Sequence, residues 1–223
     1  MKTQIRIKRA QDVILASMLL VVFMPLLLIT AFLILIKEGR PIFYISKRHI
    51  SSTKEVFVLK FRTMQHDAKS PKYNLNERFM RDGYLDIPLN CEVYTGIGKF
   101  LERSQIVEIL QLFNVLFHGM SLIGNRPLPR ENLQLLNNLP GWENRFMCPA
   151  GMTGITQIVG KHNLRPVDRL ELEILYANVY CTGNILFCDM IIAWHTIKLI
   201  LTGKAISRIH AIGILRKCLN SPA

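Results

Sequence analysis

Acidic residues are scarce in this 223-residue chain: 16 Asp and Glu stand against 28 Lys and Arg, giving a net charge of +12, and none follows Asp189. Charge of either sign is missing altogether from residues 13–36. The five cysteines form no C-x-x-C pair, and their odd number reads as reduced thiols rather than a disulfide framework. The six histidines lack the i,i+3 or i,i+4 spacing of a helical metal site, which argues against a histidine-based centre. No aromatic stacking platform or recognised reader motif accompanies the basic residues, so nucleic acid ranks behind lipid as the reason for the charge. Half of the chain is apolar and its mean hydropathy is +0.23, which excludes a disordered chain. The length suits one domain with a substantial core. A chain that is both basic and apolar has two natural partners, anionic surfaces and lipid.

The uncharged run is long enough for a transmembrane helix, which needs about 20 apolar residues. A soluble helix of this composition would need cover on every side, and the run is too long for the apolar core of a signal peptide. Pro25 near its centre removes a helical hydrogen bond, so a kink is expected there. Basic residues lie before the run (Lys2, Arg6, Lys8, Arg9) and after it (Lys37, Arg40, Lys47, Arg48). Positive charge prefers the cytoplasmic side, so a segment entering and leaving by one face satisfies both flanks, and a re-entrant hairpin is favoured over a straight span. Beyond Asp189, Lys198, Lys204, Arg208, Arg216 and Lys217 alternate with Ile191, Ile192, Trp194, Ile197, Leu199, Ile200, Leu201, Ile209, Ile212 and Leu215. That pattern describes either a helix lying among lipid headgroups or a C-terminal helix packed on the core with one solvated face.

Residues 41–44 and 55–60 read as two short strands joined through a turn at Ser51, Ser52 and Thr53, leading into Lys60-Phe61-Arg62-Thr63-Met64. Residues 65–90 are polar and read as a loop or short polar helix. Residues 98–118 are helical in pattern: Ile106, Ile109, Leu110, Phe113 and Leu116 share one face, and Glu108, Gln111, Asn114 and His118 form a stripe compatible with solvent on another. Arg126 stands in a Gly/Pro-stiffened loop that suits bidentate phosphate recognition. Residues 149–154 with Gly160 and Lys161 form a glycine-rich stretch able to offer amides to an anion.

In order along the chain, these residues resemble the bacterial sugar transferase family, the monotopic polyprenol-phosphate phosphoglycosyl transferases. The resemblance is carried by Lys8-Arg9-x-x-Asp12, the break at Met24-Pro25, Pro41-Ile42-Phe43-Tyr44, the Lys60 to Met64 motif, Gln111-Leu112-Phe113-Asn114-Val115-Leu116, the run from Gly119 to Pro127 and the run from Pro149 to Gly160. Tyr176 and Asp189 match late positions. The resemblance implies an α/β (α+β) protein at the bacterial cytoplasmic membrane. Its parts would be a re-entrant anchoring helix at 1–36 and one cytosol-facing domain at 37–223, with a small hairpin and interfacial helices, the last at the C-terminus. It also implies transfer of a sugar phosphate from a nucleotide diphosphosugar to polyprenol phosphate with Mg²⁺. In the family an Asp-Glu pair does this: the Asp attacks the β-phosphate and forms a phosphosugar intermediate, which the lipid phosphate then resolves.

The match departs from the family at that pair. Val107 stands where the nucleophilic Asp belongs, and an isopropyl group has no lone pair with which to form an acyl phosphate. Glu108 remains, suited by the resemblance to Mg²⁺. Glu102 replaces an Arg, Gln105 a Ser and Asn125 a Pro; Ser46, Ile50 and Thr53 also depart. The resemblance assigns substrate binding to Lys60, Arg62, Arg126, Gln111 and Gln157. Tyr176 reads as core, and Asp189 as either a buried partner for an Arg or a site residue. Two readings follow: a working transferase with Glu108 as nucleophile, or a non-catalytic member that binds lipid phosphate or partners an active transferase in a homo- or hetero-oligomer. A plain basic membrane-surface protein is a third.

Overall fold

The computed structural model describes residues 2–81, 84–160 and 164–220. Lys161 and His162 lie outside the described residues. The chain opens with one long helix, α1 (Lys2–Glu38), followed by a hairpin of β1 (Phe43–His49) and β2 (Glu55–Phe61). A polar stretch then holds a 3-10 turn at Pro71–Tyr73, α2 (Leu75–Phe79), and the short pair β3 (Met80–Arg81) and β4 (Tyr84–Leu85). Next come α3 (Gly96–Arg103), α4 (Ile106–Ile109), α5 (Leu112–Phe117), β5 (Ser121–Ile123) and α6 (Arg130–Leu136). The chain closes with β6 (Gly151–Thr153), α7 (Ile155–Val159), α8 (Pro166–Thr182), α9 (Ile185–Thr202) and α10 (Arg208–Asn220). This is the mixed α/β class read from the sequence.

Helix α1 continues through Pro25 and ends at Glu38. Its buried residues, Lys8, Asp12, Ala16, Leu20, Leu27, Thr30 and Ile34, recur at helical spacing and make one stripe that packs on α5, α9 and β5. The remainder is exposed and apolar: Val21, Val22, Leu28 and Phe32 are each more open than closed. Both ends of α1 are tied to the same body. Arg9 donates to the carbonyls of Val115 (2.9 Å) and Met120 (2.8 Å), and Asp12 accepts from Ser121 Oγ (2.7 Å) and Leu122 N–H (3.0 Å). At the far end Arg62 donates to the carbonyls of Glu38 (2.9 Å) and Gly39 (3.1 Å).

The expected hairpin forms, with its first strand displaced: β1 begins at Phe43 and runs to His49, because Pro41 has no N–H for the ladder. Its register pairs Tyr44 with Lys60, Ser46 with Val58 and Arg48 with Val56 on one face. The other face carries Phe43, Ile45, Lys47 and Phe57, all exposed. The helical stretch expected over 98–118 is broken into α3, α4 and α5. Gln105, at φ 58°, takes a left-handed conformation between α3 and α4, and the chain turns again at Leu110 and Gln111 before α5. The break turns Glu108, Gln111 and Asn114 inward, leaving only His118 of the expected solvated stripe exposed.

Two cores result. One gathers Val56, Val58, Phe61, Leu101, Val107, Leu112 and Val115 beneath α1, and the other lies among α7, α8, α9 and α10 around Tyr176. The parallel pair β5–β6 joins them. The glycine-rich stretch before α7 serves this pairing: Gly151 N–H donates to the Asn125 carbonyl at 2.8 Å, and a Cβ on Gly151 would fall 2.1 Å from Gly124 N. Helix α9 packs on the core by one side, as one reading of the C-terminal segment had it, and its other side is open and largely apolar. Ile185, Cys188 and Ile192 pack inside, while Met190, Trp194, Ile197, Ile200, Leu201 and Lys198 lie exposed. Helices α1 and α9 are long and apolar enough to cross a membrane by length and composition.

Candidate functional site

Short α4 presents two consecutive side chains to opposite environments. Val107 is 1% exposed and packs in the apolar core beneath α1, whereas Glu108 turns to the hairpin. Successive residues of a helix differ by about 100° around the axis, so the two cannot exchange places without rebuilding the turn. Glu108 Oε1 accepts from Lys60 Nζ at 2.9 Å and from Arg126 at 3.0 Å, and Oε2 accepts from the Gln111 amide. The cations come from separate elements: Lys60 from the inward face of β2, and Arg126 from the loop after β5.

Two further contacts hold this geometry. Asn114 on α5 behaves like one more residue of a strand beside β2, donating to the Phe57 carbonyl at 2.7 Å and accepting from Leu59 N–H at 3.4 Å. Behind Arg126, the fully buried pair Arg145–Glu173 (2.7 Å) braces the loop, with Arg145 donating to the Arg126 carbonyl at 2.8 Å. Asn125 donates to the carbonyls of Arg145 (2.8 Å) and Glu173 (2.9 Å), so it is itself part of the brace.

A third cation belongs to the cluster. Arg48, two positions along from Ser46 on the inward face of β1, donates its Nε–H to Ser46 Oγ at 2.8 Å and lies within electrostatic range of Lys60, Arg126, Glu108 and Glu131. Burial lowers the Lys60 ammonium from its ordinary value; Glu108 pulls it back up and Arg126 presses it down again. Burial likewise lowers Arg48, with Arg126 adding to the effect. The balance is three half-buried cations around one buried carboxylate, with the exposed Glu131 beyond Arg48. Side-chain exposures of 17% at Lys60 and 21% at Arg126 leave both cations reachable from solvent.

The structure thus brings Lys60, Glu108, Gln111 and Arg126 together and places the other candidates elsewhere. Arg62 is turned to the end of α1, where it is 3.7 Å from the Glu38 carboxylate besides its two carbonyl bonds. Gln157 stands behind the Arg126 loop, its Oε1 accepting from Thr156 at 3.0 Å. A Cβ on neighbouring Gly154 would meet the Gly124 carbonyl at 2.1 Å and Gln157 Oε1 at 3.3 Å. Asp189 is a buried charge partner as one reading had it, but for Lys8 (2.5 Å) rather than an Arg, and it accepts from Tyr176 OH at 2.7 Å. Glu102 accepts from Thr63 at 3.1 Å, joining α3 to the residues that follow β2. Arg48 was not singled out from the sequence; the period-2 alternation that puts it beside Ser46 and Lys60 was the available signal. Arg145 and Glu173, 28 residues apart, carried none.

The donor set does not suit a divalent cation held by the protein. Mg²⁺ is ordinarily bound by one or two carboxylates together with substrate phosphates. Here the cluster's carboxylate already carries two cations on one oxygen and an amide on the other. No group of three His, Cys, Asp or Glu side chains converges among the described residues.

Comparison with known proteins gives a consistent result. A model of the bacterial sugar transferase family matches residues 3–203. The chain is 30% identical over 198 residues to the UDP-N-acetylgalactosamine-undecaprenyl-phosphate N-acetylgalactosaminephosphotransferase of Aeromonas hydrophila, covering 88% of this chain and 44% of that protein. It is 30% identical over 195 residues to the UDP-glucose:undecaprenyl-phosphate glucose-1-phosphate transferase of Klebsiella pneumoniae, covering 85% and 39%. The chain therefore spans about two fifths of these relatives. Against the exopolysaccharide production protein ExoY of Rhizobium meliloti it is 28% identical over 198 residues, covering 85% of this chain and 83% of that one.

Proposed function

The chain belongs to the bacterial sugar transferase family, and on that premise we infer that it serves polysaccharide assembly at the bacterial cytoplasmic membrane as a binder of the family's phosphate-bearing substrates, polyprenol phosphate and nucleotide diphosphosugar, without the covalent step. One observation carries this reading: Val107, at the position that the resemblance gives to the nucleophile, is packed in the apolar core, while the cations that would receive phosphate are assembled at Glu108. An acyl phosphate needs an oxygen that Val107 does not have.

The membrane seat is supported by the exposed apolar surface of α1 and by its two ends, which are bonded to one body. Lys2 and Arg6 at one end and Lys37 and Arg40 at the other are all exposed. A re-entrant segment with both ends on the cytoplasmic side meets the preference of basic residues for that side. The apolar outer side of α9, with Trp194 and Lys198, suits the headgroup layer next to it. Such a protein would act beside an active transferase, presenting or sequestering lipid phosphate.

A second reading is favoured by the position of Glu108, the carboxylate that lies against both Lys60 and Arg126: a working transferase with Glu108 as nucleophile. Assays of sugar-phosphate transfer to undecaprenyl phosphate from a panel of labelled UDP-sugars separate the two. No turnover by the purified chain, together with retained binding of undecaprenyl phosphate, is the expected result. Turnover abolished by Glu108→Gln would establish the second reading instead. Transfer gained by Val107→Asp alone would place the whole loss of chemistry at that one side chain.

A further inference from the structure

The cluster at Glu108 has more positive charge than its carboxylate answers. Arg48, Lys60 and Arg126 gather around Glu108, and the one other carboxylate acting on Arg48 among the described residues, Glu131, is exposed, so positive charge is still left over. Burying cations costs free energy unless they are paired, and a surplus of this kind is stable chiefly where an anion completes it. A phosphate or diphosphate brings about two negative charges and several acceptor oxygens. A divalent cation would instead add two positive charges to a place that already has an excess. Glu108 Oε1 sits between Lys60 Nζ and Arg126, as an oxygen of a bound phosphate would.

We propose that Arg48, Lys60 and Arg126 form a site that takes a phosphate group directly, without a protein-held metal ion, and that Glu108 is the resident counter-ion which the incoming phosphate displaces. The proposal rests on the reading that this cluster binds phosphate, and adds how it does so. When phosphate arrives, Lys60 and Arg126 exchange a carboxylate oxygen for phosphate oxygens. Glu108 keeps its bond from the Gln111 amide, and Arg48, fixed through Ser46, supplies the third positive charge. No covalent bond forms or breaks. Glu108 therefore competes with the ligand, the opposite of what a metal-bridging carboxylate would do. The phosphate has two possible sources, a lipid headgroup or a soluble diphosphate, and both present the same chemistry to the three cations.

The test uses the full chain in nanodiscs, titrated with inorganic pyrophosphate in EDTA and again with excess Mg²⁺, and in parallel reconstituted in vesicles with and without undecaprenyl phosphate. Wild type is expected to bind in EDTA, Glu108→Gln to bind about tenfold more tightly, and Arg48→Gln about tenfold more weakly. Removing Glu108 also leaves the cations unopposed and can weaken folding, so thermal unfolding is followed as well. Pyrophosphate should then raise the unfolding temperature of Glu108→Gln more than that of wild type. Response to pyrophosphate alone assigns the site to a soluble diphosphate; response to the lipid-bearing vesicles alone assigns it to a headgroup. Binding that requires Mg²⁺ and is lost in Glu108→Gln would overturn the proposal while leaving a phosphate site in place. Absence of binding by every variant, with or without Mg²⁺ and to either source, would overturn the phosphate reading and the proposal together.

Discussion

At the root of α1, Lys8 meets Asp12 and Asp189 while Arg9 is held by carbonyls; at the hairpin, Lys60 and Arg126 meet Glu108, with Arg48 in electrostatic range. Both clusters bury charge, and both join elements far apart in sequence. The first is balanced, two cations against two carboxylates. Its spare donors end on the carbonyls of Ile123, Val115 and Met120, and its spare acceptors take Ser121, Leu122 and Tyr176. The second is unbalanced and partly open to solvent. A closed, neutral network fixes α1 to the body; a network with a surplus of one sign is a place for something of the other sign. The same residue types thus make scaffold in one region and a binding site in the other, and what separates them is whether the protein supplies every partner.

The sharpest way to break this contrast is to unbalance the first cluster. Asp189→Asn takes from the Lys8 ammonium, whose side chain is only 4% exposed, its 2.5 Å partner and leaves Asp12 at 3.8 Å as its remaining carboxylate; breaking a buried pair costs about 3–5 kcal/mol. The expected outcome is a large fall in thermal unfolding temperature with pyrophosphate affinity unchanged in the folded fraction. A fall in affinity at equal stability would show the two clusters to be one system.

At the second cluster the order reverses. Lys60→Met removes a surplus cation, and Glu108 keeps Arg126, so unfolding should shift little while pyrophosphate affinity drops about tenfold or more. Calorimetric titration and a thermal melt of the same variant check both halves.

Asn114→Ala tests whether the hairpin is placed for the site by a side chain. The variant leaves the Phe57 carbonyl and the Leu59 N–H without a partner. A loss of about 1–3 kcal/mol is expected, with a smaller fall in affinity as Lys60 loses its register against Glu108.

How much of this was legible beforehand differs between the regions for a physical reason. Lys60, Glu108, Gln111 and Arg126 were recognisable because motifs record residue type and order. Arg62 belongs to the same motif as Lys60, but a motif does not record that β2 stops at Phe61, after which Arg62 turns to the end of α1. The broken helix over 98–118 kept its apolar period across the breaks, so periodicity could not reveal the left-handed Gln105 or the turn that buries Asn114. Of the basic residues counted as flanks of the apolar run, Lys8 is buried and Arg48 faces the site, while Lys2, Arg6, Lys37 and Arg40 remain exposed beside it. The Arg145–Glu173 brace depends on tertiary contact alone.

The smallest effect is the one that ties charge surplus most directly to function. Burial holds the Lys60 ammonium below its ordinary value of 10.5, so the group gives up its proton earlier in the folded chain than in the unfolded one. Between those two values the unfolded chain binds more protons, and this group's contribution to stability must rise with pH. Anion binding must move the other way, because the site sheds one of its three positive charges over the same window. Pyrophosphate affinity, compared with that of Lys60→Arg so that the titration of pyrophosphate itself cancels, is therefore expected to decline by a few fold as pH rises toward the range in which an exposed lysine loses its charge. Lys60→Arg, whose guanidinium keeps its proton throughout, should follow the charge of pyrophosphate alone. A balanced cluster gives no such opposition between stability and binding, so a wild-type profile parallel to that of Lys60→Arg would mean that Lys60 is not among the cations that receive the phosphate.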